Sequence, residues 1–93
     1  MKWTTLSVLG HEQLTPTTTS DYKTGTVPNG TSAILISVAT TNARLSLDGN
    51  NPDATHGHVI QKDTAPLLLP VAVAPIVAST AAANAVTDIT YLG

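Results

Sequence analysis

The chain has no cysteine and no phenylalanine, and few of its residues carry a charge. Without cysteine, neither a disulfide framework nor a thiolate metal site can form. Charged residues make up 11% of the sequence, and the formal net charge is −2. The four cations, Lys2, Lys23, Arg44 and Lys62, are scattered, whereas a nucleic-acid binder needs clustered cations to displace phosphate counterions. We therefore expect no nucleic-acid partner.

The chain is instead rich in aliphatic residues. Its 93 residues suffice for one domain, predicted to span residues 1–93. Leu, Ile and Val make up about a quarter of the chain, above the ~20% below which disorder is expected. Trp3, Tyr22 and Tyr91 are its three aromatic residues. A small aliphatic core gives modest stability, so association with other copies would add useful buried area.

Residues 65–86 form the longest uncharged stretch and therefore suggest a membrane segment. Pro66, Pro70 and Pro75 interrupt it, and a membrane-spanning helix tolerates a single proline better than three. Strands with turns are the better interpretation, so we expect no membrane partner. Residues 1–6 hold no sustained apolar run, so no signal peptide is expected either.

Short aliphatic and β-branched segments, separated by Gly, Pro and Asn, recur along the chain, and no segment keeps a helical period. This pattern predicts an all-β fold: a single β-sandwich, jelly-roll or Ig-like, with six to eight short strands. The predicted strands are Trp3–Leu9, Tyr22–Val27, Ser32–Ala39, Ala43–Asp48, His58–Gln61, Leu67–Leu69, Val71–Ala78 and Asn84–Leu92.

Local signals add detail at four places. Gly10 is expected to end the first strand, and residues 10–21 are predicted as a loop or extended N-terminal arm, because the threonine-rich part cannot bury apolar surface. The short connection at residues 40–42 predicts a hairpin. Pro75 cannot donate to a strand ladder, which predicts an edge strand or a bulge there.

Alternation also predicts which side chains face the core. In the fourth segment Ala43, Leu45 and Leu47 should point inward, and Arg44, Ser46 and Asp48 outward. In the last segment Ala85, Ile89 and Tyr91 should share one side, opposite Asp88 and Thr90.

Two patterns suggest metal binding, and both have a simpler explanation. His56 and His58 flank Gly57, which suits either a metal site or an ordinary turn. Residues 48–53 hold carboxylate and amide oxygens of the kind calcium prefers, but also the Asp, Asn and Gly that a β-turn demands. No serine lies in a glycine-flanked elbow of a hydrolase. We therefore expect no metal, no cofactor and no enzymatic activity.

Residues 31–93 resemble small virion structural proteins of tailed bacteriophages. The resemblance is carried by three segments: the strand, Asp-Gly turn, proline loop and Gly-His entry of Ala43–His58, the piece Pro66–Pro70, and the closing strand Val86–Leu92. Residues 1–30 match nothing comparable. The resemblance implies a β-sandwich in the capsid, or at the neck or tail.

That resemblance leads to a functional expectation. The chain would be a capsid decoration (cement) protein that binds the major capsid protein as a homo-oligomer, a trimer, on a virion assembled in the host cytoplasm. The expected contact residues are Trp3, Leu6, Leu14 and Tyr22. A tail, neck or fibre-base component is the first alternative. A host-surface glycan-binding module using Trp3 and Tyr22 is the second, because sugars stack on exposed aromatic rings.

Overall fold

The structure, a computed structural model, describes residues 6–93 and contains eight strands in this range. The strands are β1 (Val8–Leu14), β2 (Lys23–Thr24), β3 (Ala33–Ala39), β4 (Ala43–Ser46), β5 (His58–Ile60), β6 (Leu67–Leu69), β7 (Ile76–Ser79) and β8 (Val86–Leu92). All strand pairs are antiparallel. Residues 6–93 include no helix of the length and hydropathy needed to cross a bilayer.

The strands form two four-stranded sheets, as the sequence predicted. Sheet A has the order β1-β8-β3-β6, and sheet B has the order β2-β7-β4-β5. The strands pair as in one long antiparallel ribbon that is folded over on itself: β1 with β8, β2 with β7, β3 with β6 and β4 with β5. This eight-stranded double sheet has jelly-roll topology, rather than the seven-stranded immunoglobulin order.

The core lies between the sheets and is aliphatic apart from one tyrosine. On sheet A the inward residues of β3 and β8 pair across the strands, as Ile34 does with Tyr91 and Ile36 with Ile89. Ala43, Leu45 and Val77 face them from sheet B. The predicted inward set of the last segment is confirmed, since Ala85, Ile89 and Tyr91 are all buried.

The N-terminal part of the chain differs from the prediction. Gly10 does not end a strand: it lies inside β1, next to a β-bulge between Val8 and Gly10. Residues 10–14 are therefore part of sheet A. Residues 15–21 contain no strand but follow the body closely, since Ser79 donates its N–H to the carbonyl of Thr18. The first three residues of the predicted strand Trp3–Leu9 lie outside the described residues, and its last two, Val8 and Leu9, open β1.

The hairpin predicted at residues 40–42 is wrong. The strands it connects lie in different sheets, so the chain crosses the sandwich there, and Thr40 takes a positive φ of 78° at the crossing. The hairpin of this region joins β4 to β5 through residues 47–57. A short polar connection suits both a hairpin and a change of sheet, so its sequence alone does not distinguish them.

Two finer predictions also need correction. Pro75 creates neither an edge strand nor a bulge: it precedes β7, an interior strand of sheet B, and its carbonyl accepts a hydrogen bond from Gly25. Ser46 is buried instead of pointing to solvent. Its hydroxyl donates to Asp48 at 2.7 Å, which satisfies the polar group in its buried position.

Candidate interaction surfaces

One side of the sandwich, between β1 and β2, is closed by a hydrogen-bonded contact. Glu12 has the inward register of β1, opposite Ile89. Its carboxylate accepts hydrogen bonds from the hydroxyl of Tyr91 and from the N–H of Thr26, the latter at 2.8 Å. Burial and the neighbouring carboxylate raise the pKa of Tyr91, so its hydroxyl stays protonated and donates.

Gly25 makes this closure fit. A Cβ at this position would lie 2.9 Å from a Glu12 carboxylate oxygen and 2.9 Å from Pro75 Cδ, and closer still to the Tyr91 hydroxyl. Glycine therefore allows the backbone beside β2 to approach the carboxylate.

The opposite side, between the edge strands β5 and β6, is open. A groove of about 540 Å³ lies there. Leu67 and Leu69 line it from β6, and they take the inward register because they pair with Ile36 and Ile34. Residues of sheet B complete the apolar lining, namely Leu45, Leu47, Val59 and Ile60. We call this the β5–β6 groove.

The groove is polar at only a few points. His58, Gln61 and Thr64 contribute to its lining, and Leu67 remains 48% exposed although its register is inward. Apolar surface that faces the core and is still exposed to water is stabilised when another apolar group covers it.

A second apolar surface lies at the start of β1. In the described residues β1 pairs with β8 alone, so its other side is a free sheet edge. Leu6 and Leu9 are exposed here, and Val8 is 69% exposed. A free edge with apolar side chains is a site where another chain can add a strand.

The loop between β4 and β5 is held by a cluster around Asp48. Its carboxylate accepts hydrogen bonds from Ser46 at 2.7 Å and from the N–H of Asn50 at 3.1 Å, and it contacts His56 Nε2 at 2.8 Å. Further along, Asp53 and His56 form a short bridge. Gly57 has a φ of 106°, which brings the chain back into β5.

These contacts set the charge state of the loop. The hydrogen bond from His56, with those from Ser46 and Asn50, holds the pKa of Asp48 well below its usual range. The same hydrogen bond and the negative charge of Asp48 raise the pKa of His56 above its ordinary value of 6.5. With the pKa of Asp48 lowered and that of His56 raised, the two groups form a charged pair in mildly acidic solution.

The cluster differs from a catalytic triad and from a metal site. In a triad the histidine lies between the serine and the acid, whereas here Ser46 and His56 both contact Asp48. Within residues 6–93 no three His, Cys, Asp or Glu side chains are grouped so that they could hold a metal ion. The cluster can hold the β4–β5 loop in place, because the side chains of Ser46 and His56 are both bonded to Asp48.

Tyr22 lines a third feature, a surface recess of about 380 Å³. Arg44, Asp53 and Thr80 are among the residues around it, and Tyr22 is 38% exposed. An aromatic ring beside a cation, a carboxylate and a hydroxyl has the composition of a small polar-ligand site. We call this the Tyr22 recess.

Among the predicted contact residues that the structure describes, Leu6, Leu14 and Tyr22 lie at separate places. Trp3 lies outside the described residues. Leu6 is exposed before β1, Leu14 ends β1 half-buried against the core, and Tyr22 lies in the recess. Leu6 and Leu14 lie at opposite ends of β1, which is about 20 Å long. Neither the β5–β6 groove nor the Glu12 closure was predicted, since both depend on which strands form the sheet edges.

No protein-family model, curated protein or solved structure matches this chain.

Proposed function

We propose that the chain is a virion structural protein of a tailed bacteriophage, a capsid decoration protein that binds the major capsid protein lattice as a homo-oligomer and stabilises the head. The observation that carries this proposal is the apolar surface left at both edges of the sandwich. The start of β1 exposes Leu6 and Val8 beside a free strand edge, and the β5–β6 groove lies on the opposite side.

The position of these surfaces favours a protein that contacts two neighbours. Exposed apolar patches on small domains mark interaction sites, and these two lie on opposite edges, so both can be occupied at once. The low content of charged residues agrees with faces that meet other protein. Jelly-roll double sheets occur among viral capsid domains and lectins, although a fold alone does not decide a function.

We assign attachment to the capsid protein to the start of β1, within the segment from Trp3 to Tyr22. A strand of the capsid protein would add to the free edge, and the exposed side chain of Val8 would contact its surface. Backbone hydrogen bonds would supply affinity there, and the apolar contacts would exclude water from them.

A sedimentation assay with expanded capsids that lack the chain tests this assignment. Val8→Lys should lower the amount of protein that sediments with the capsids, because it places a charge in the contact while leaving the core untouched. Val73→Lys is the matched control, since Val73 is also an exposed valine, in the connection before β7. Equal binding by both variants would refute the assignment.

The copy number in purified virions tests the wider proposal. A decoration protein covers the head in many copies, whereas a tail, neck or fibre-base component is confined to a ring. Mass-spectrometric quantification against the major capsid protein separates the two roles. Absence of the chain from virions would refute both.

The Tyr22 recess favours one candidate of a different class, a glycan-binding module. Its ring is accessible to a sugar face, and Arg44 and Asp53 are close enough to the recess to bond hydroxyl groups. Titration with cell-wall saccharides, followed by the NMR signals of Tyr22 and Arg44, tests this function. Unchanged signals at millimolar saccharide would exclude it, and Tyr22→Ala should abolish any shift that is seen.

A further inference from the structure

We propose that the β5–β6 groove is the docking site for residues 1–6 of a second copy of this chain. The proposal concerns self-association and does not depend on a virion role. It rests on three observations: the groove is open and apolar, the opposite side of the sandwich is closed, and residues 1–6, which precede Ser7 at the β1 edge of sheet A, contain the tryptophan of the chain.

The first observation is the incomplete closure of the core. Between β1 and β2 the sandwich is sealed by Glu12, Tyr91 and Gly25. Between β5 and β6 it is open, and Leu67 and Leu69 face about 540 Å³ of space from the inward side of sheet A. β5 and β6 are each three residues long, and each pairs with one strand only. An extended apolar segment lying between them would complete the core.

The second observation is where the β1–β8 ladder stops. Ser7 donates to the carbonyl of Gly93 at 2.6 Å, and Gly93 donates to the carbonyl of Ser7 at 2.9 Å. Within the described residues this contact is the last one between the two strands, and residues 1–6 precede it in the chain.

The composition of those residues fits the groove. They read Met1-Lys2-Trp3-Thr4-Thr5-Leu6 and hold the one tryptophan of the chain. Tryptophan, threonine and leucine suit an extended strand with apolar side chains, and a tryptophan side chain buries about 150–250 Å². A groove of several hundred Å³ is large enough for side chains of this size.

Geometry favours another copy over the same chain as the source of the segment. Ser7 is at the β1 edge of sheet A and the groove opens beyond β6, three strands away. That width is about 14 Å at ~4.8 Å per strand. The step of four residues from Ser7 to Trp3 spans about 14 Å when fully extended. Trp3 therefore reaches the rim of its own groove at most, while a neighbouring copy can present its segment directly.

Such an exchange is a head-to-tail contact, in which the segment of one copy meets the groove of the next. Contacts of this type close into a ring when the rotation between copies permits it. A ring of three would agree with the trimer expected for a decoration protein.

The test compares two substitutions on adjacent residues of one strand. Leu67→Lys places a charge in the groove, whereas Leu68→Lys places the same charge on the outer face of sheet A, where Leu68 is 52% exposed and pairs with Leu35. In analytical ultracentrifugation the full chain and L68K should be oligomers. L67K and a chain lacking residues 1–5 should be monomers. Circular dichroism should show the same β-sheet content in all four.

Trp3 fluorescence reports on the contact directly, because no other tryptophan contributes. Emission should be blue-shifted in the full chain and in L68K, and should move to the wavelength of exposed tryptophan in L67K and on dilution to monomer. An emission that stays blue-shifted in the monomer would show the segment in its own groove and overturn the proposal.

A mixing experiment isolates one contact. L67K has a segment and a blocked groove, and the chain lacking residues 1–5 has an open groove and no segment. Each should be monomeric alone, and together they should form a 1:1 complex with blue-shifted Trp3 emission. A monomeric full chain, equal association of L67K and L68K, or no complex in the mixture would each refute the proposal. None of these outcomes bears on capsid attachment through β1.

Discussion

At Glu12 an acidic side chain takes an inward position in a sandwich, where a carboxylate needs hydrogen-bond partners. The structure supplies them from two directions, the Tyr91 hydroxyl on sheet A and the N–H of Thr26 beside sheet B. The contact therefore links the two sheets at the side of the sandwich where β1 and β2 are the edge strands. Tyr91 is the largest buried side chain of the core and is 1% exposed, so its ring packs while its hydroxyl bonds.

Tyr91→Phe tests the contribution of this contact to stability. The ring is kept, but Glu12 loses a hydrogen-bond donor in a partly buried position. We expect the free energy of unfolding to fall by about 1–3 kcal/mol, measured by urea denaturation followed by circular dichroism. Tyr22→Phe is the control, because the Tyr22 ring is exposed, and it should change stability by less than ~0.5 kcal/mol. Equal effects would contradict the role assigned to Glu12.

The pair of Asp48 and His56 should make stability depend on pH. The pKa of His56 is raised in the folded state, so its contribution is full below about 6.5 and is lost as pH rises through the folded value. The pKa of Asp48 is lowered, so its contribution is full above about 3.8 and is lost as pH falls through the folded value. The pair is therefore strongest between these limits.

His56→Gln should accordingly lower the melting temperature more at about pH 5 than at about pH 9. His58→Gln is the control, since the His58 side chain is exposed and is not among the groups bonded to Asp48. NMR titration of the wild-type imidazole should place the pKa of His56 above 6.5. A loss of melting temperature that is the same at both pH values would contradict the pairing.

At the scale of single elements, two glycines of the β4–β5 hairpin differ in the space available for a side chain. Gly49 and Gly57 both have positive φ values, 84° and 106°. A Cβ on Gly49 would meet nothing within 4 Å, whereas a Cβ on Gly57 would lie 2.8 Å from the carbonyl oxygen of Leu45 and 3.1 Å from Pro52. Gly57 therefore carries both a backbone requirement and a packing requirement.

Alanine at these two positions should separate the two effects. Gly49→Ala should cost about 1–2 kcal/mol, the cost of a left-handed conformation for a residue with a Cβ. Gly57→Ala should cost clearly more, because the backbone of β4 cannot yield without breaking its pairing. Thermal unfolding of the two variants measures the difference. The outcome that would contradict this account is an equal loss of stability.

The elements also show how far sequence reasoning extends. Leu67–Leu69 was predicted to the residue, and β3 and β8 to within two, because their apolar runs are bounded by turn residues. β1 was misplaced because Gly10 signals a strand end, although here it adjoins a bulge inside the strand. The inward position of Glu12 had no local signal, since it lies in the polar run His11-Glu12-Gln13.

The candidate surfaces were predicted less well, and the reason lies in topology. A groove between β5 and β6 exists because those strands end their sheets on the same side, and strand order cannot be read from periodicity. Tyr22 was selected as an exposed aromatic and is exposed. Its neighbours Arg44 and Asp53 are far from it in sequence, so the recess itself could not be foreseen.

At the scale of the whole molecule, the fold pairs the two ends of the chain. β1 pairs with β8, so residues from the two ends of the described range meet in one sheet. Folds dominated by such distant contacts form slowly, in milliseconds to seconds. Because β1 covers one edge of β8, removing β1 would expose that edge. It would also remove Glu12, which accepts a hydrogen bond from the Tyr91 hydroxyl.

Two truncations test this dependence. The predicted loop or arm over residues 10–21 would allow residues 1–20 to be removed with a folded body left behind, but the structure places β1 in that range. We expect a chain lacking residues 1–20 to lose cooperative unfolding in urea. A chain lacking residues 1–5 should unfold cooperatively with the stability of the monomeric full chain. If the shorter chain also unfolds cooperatively, β1 is dispensable for the fold.

The meeting of Ser7 with Gly93 has a practical consequence for engineering. Because Ser7 and Gly93 are neighbours, a short glycine-serine linker could join these two residues, and new termini could be opened at Asn50 in the exposed β4–β5 loop. Such a circular permutant would keep every strand pair of the jelly roll while moving the attachment point for fused cargo to the β4–β5 loop. The same protein could then carry cargo at either of two places on its surface.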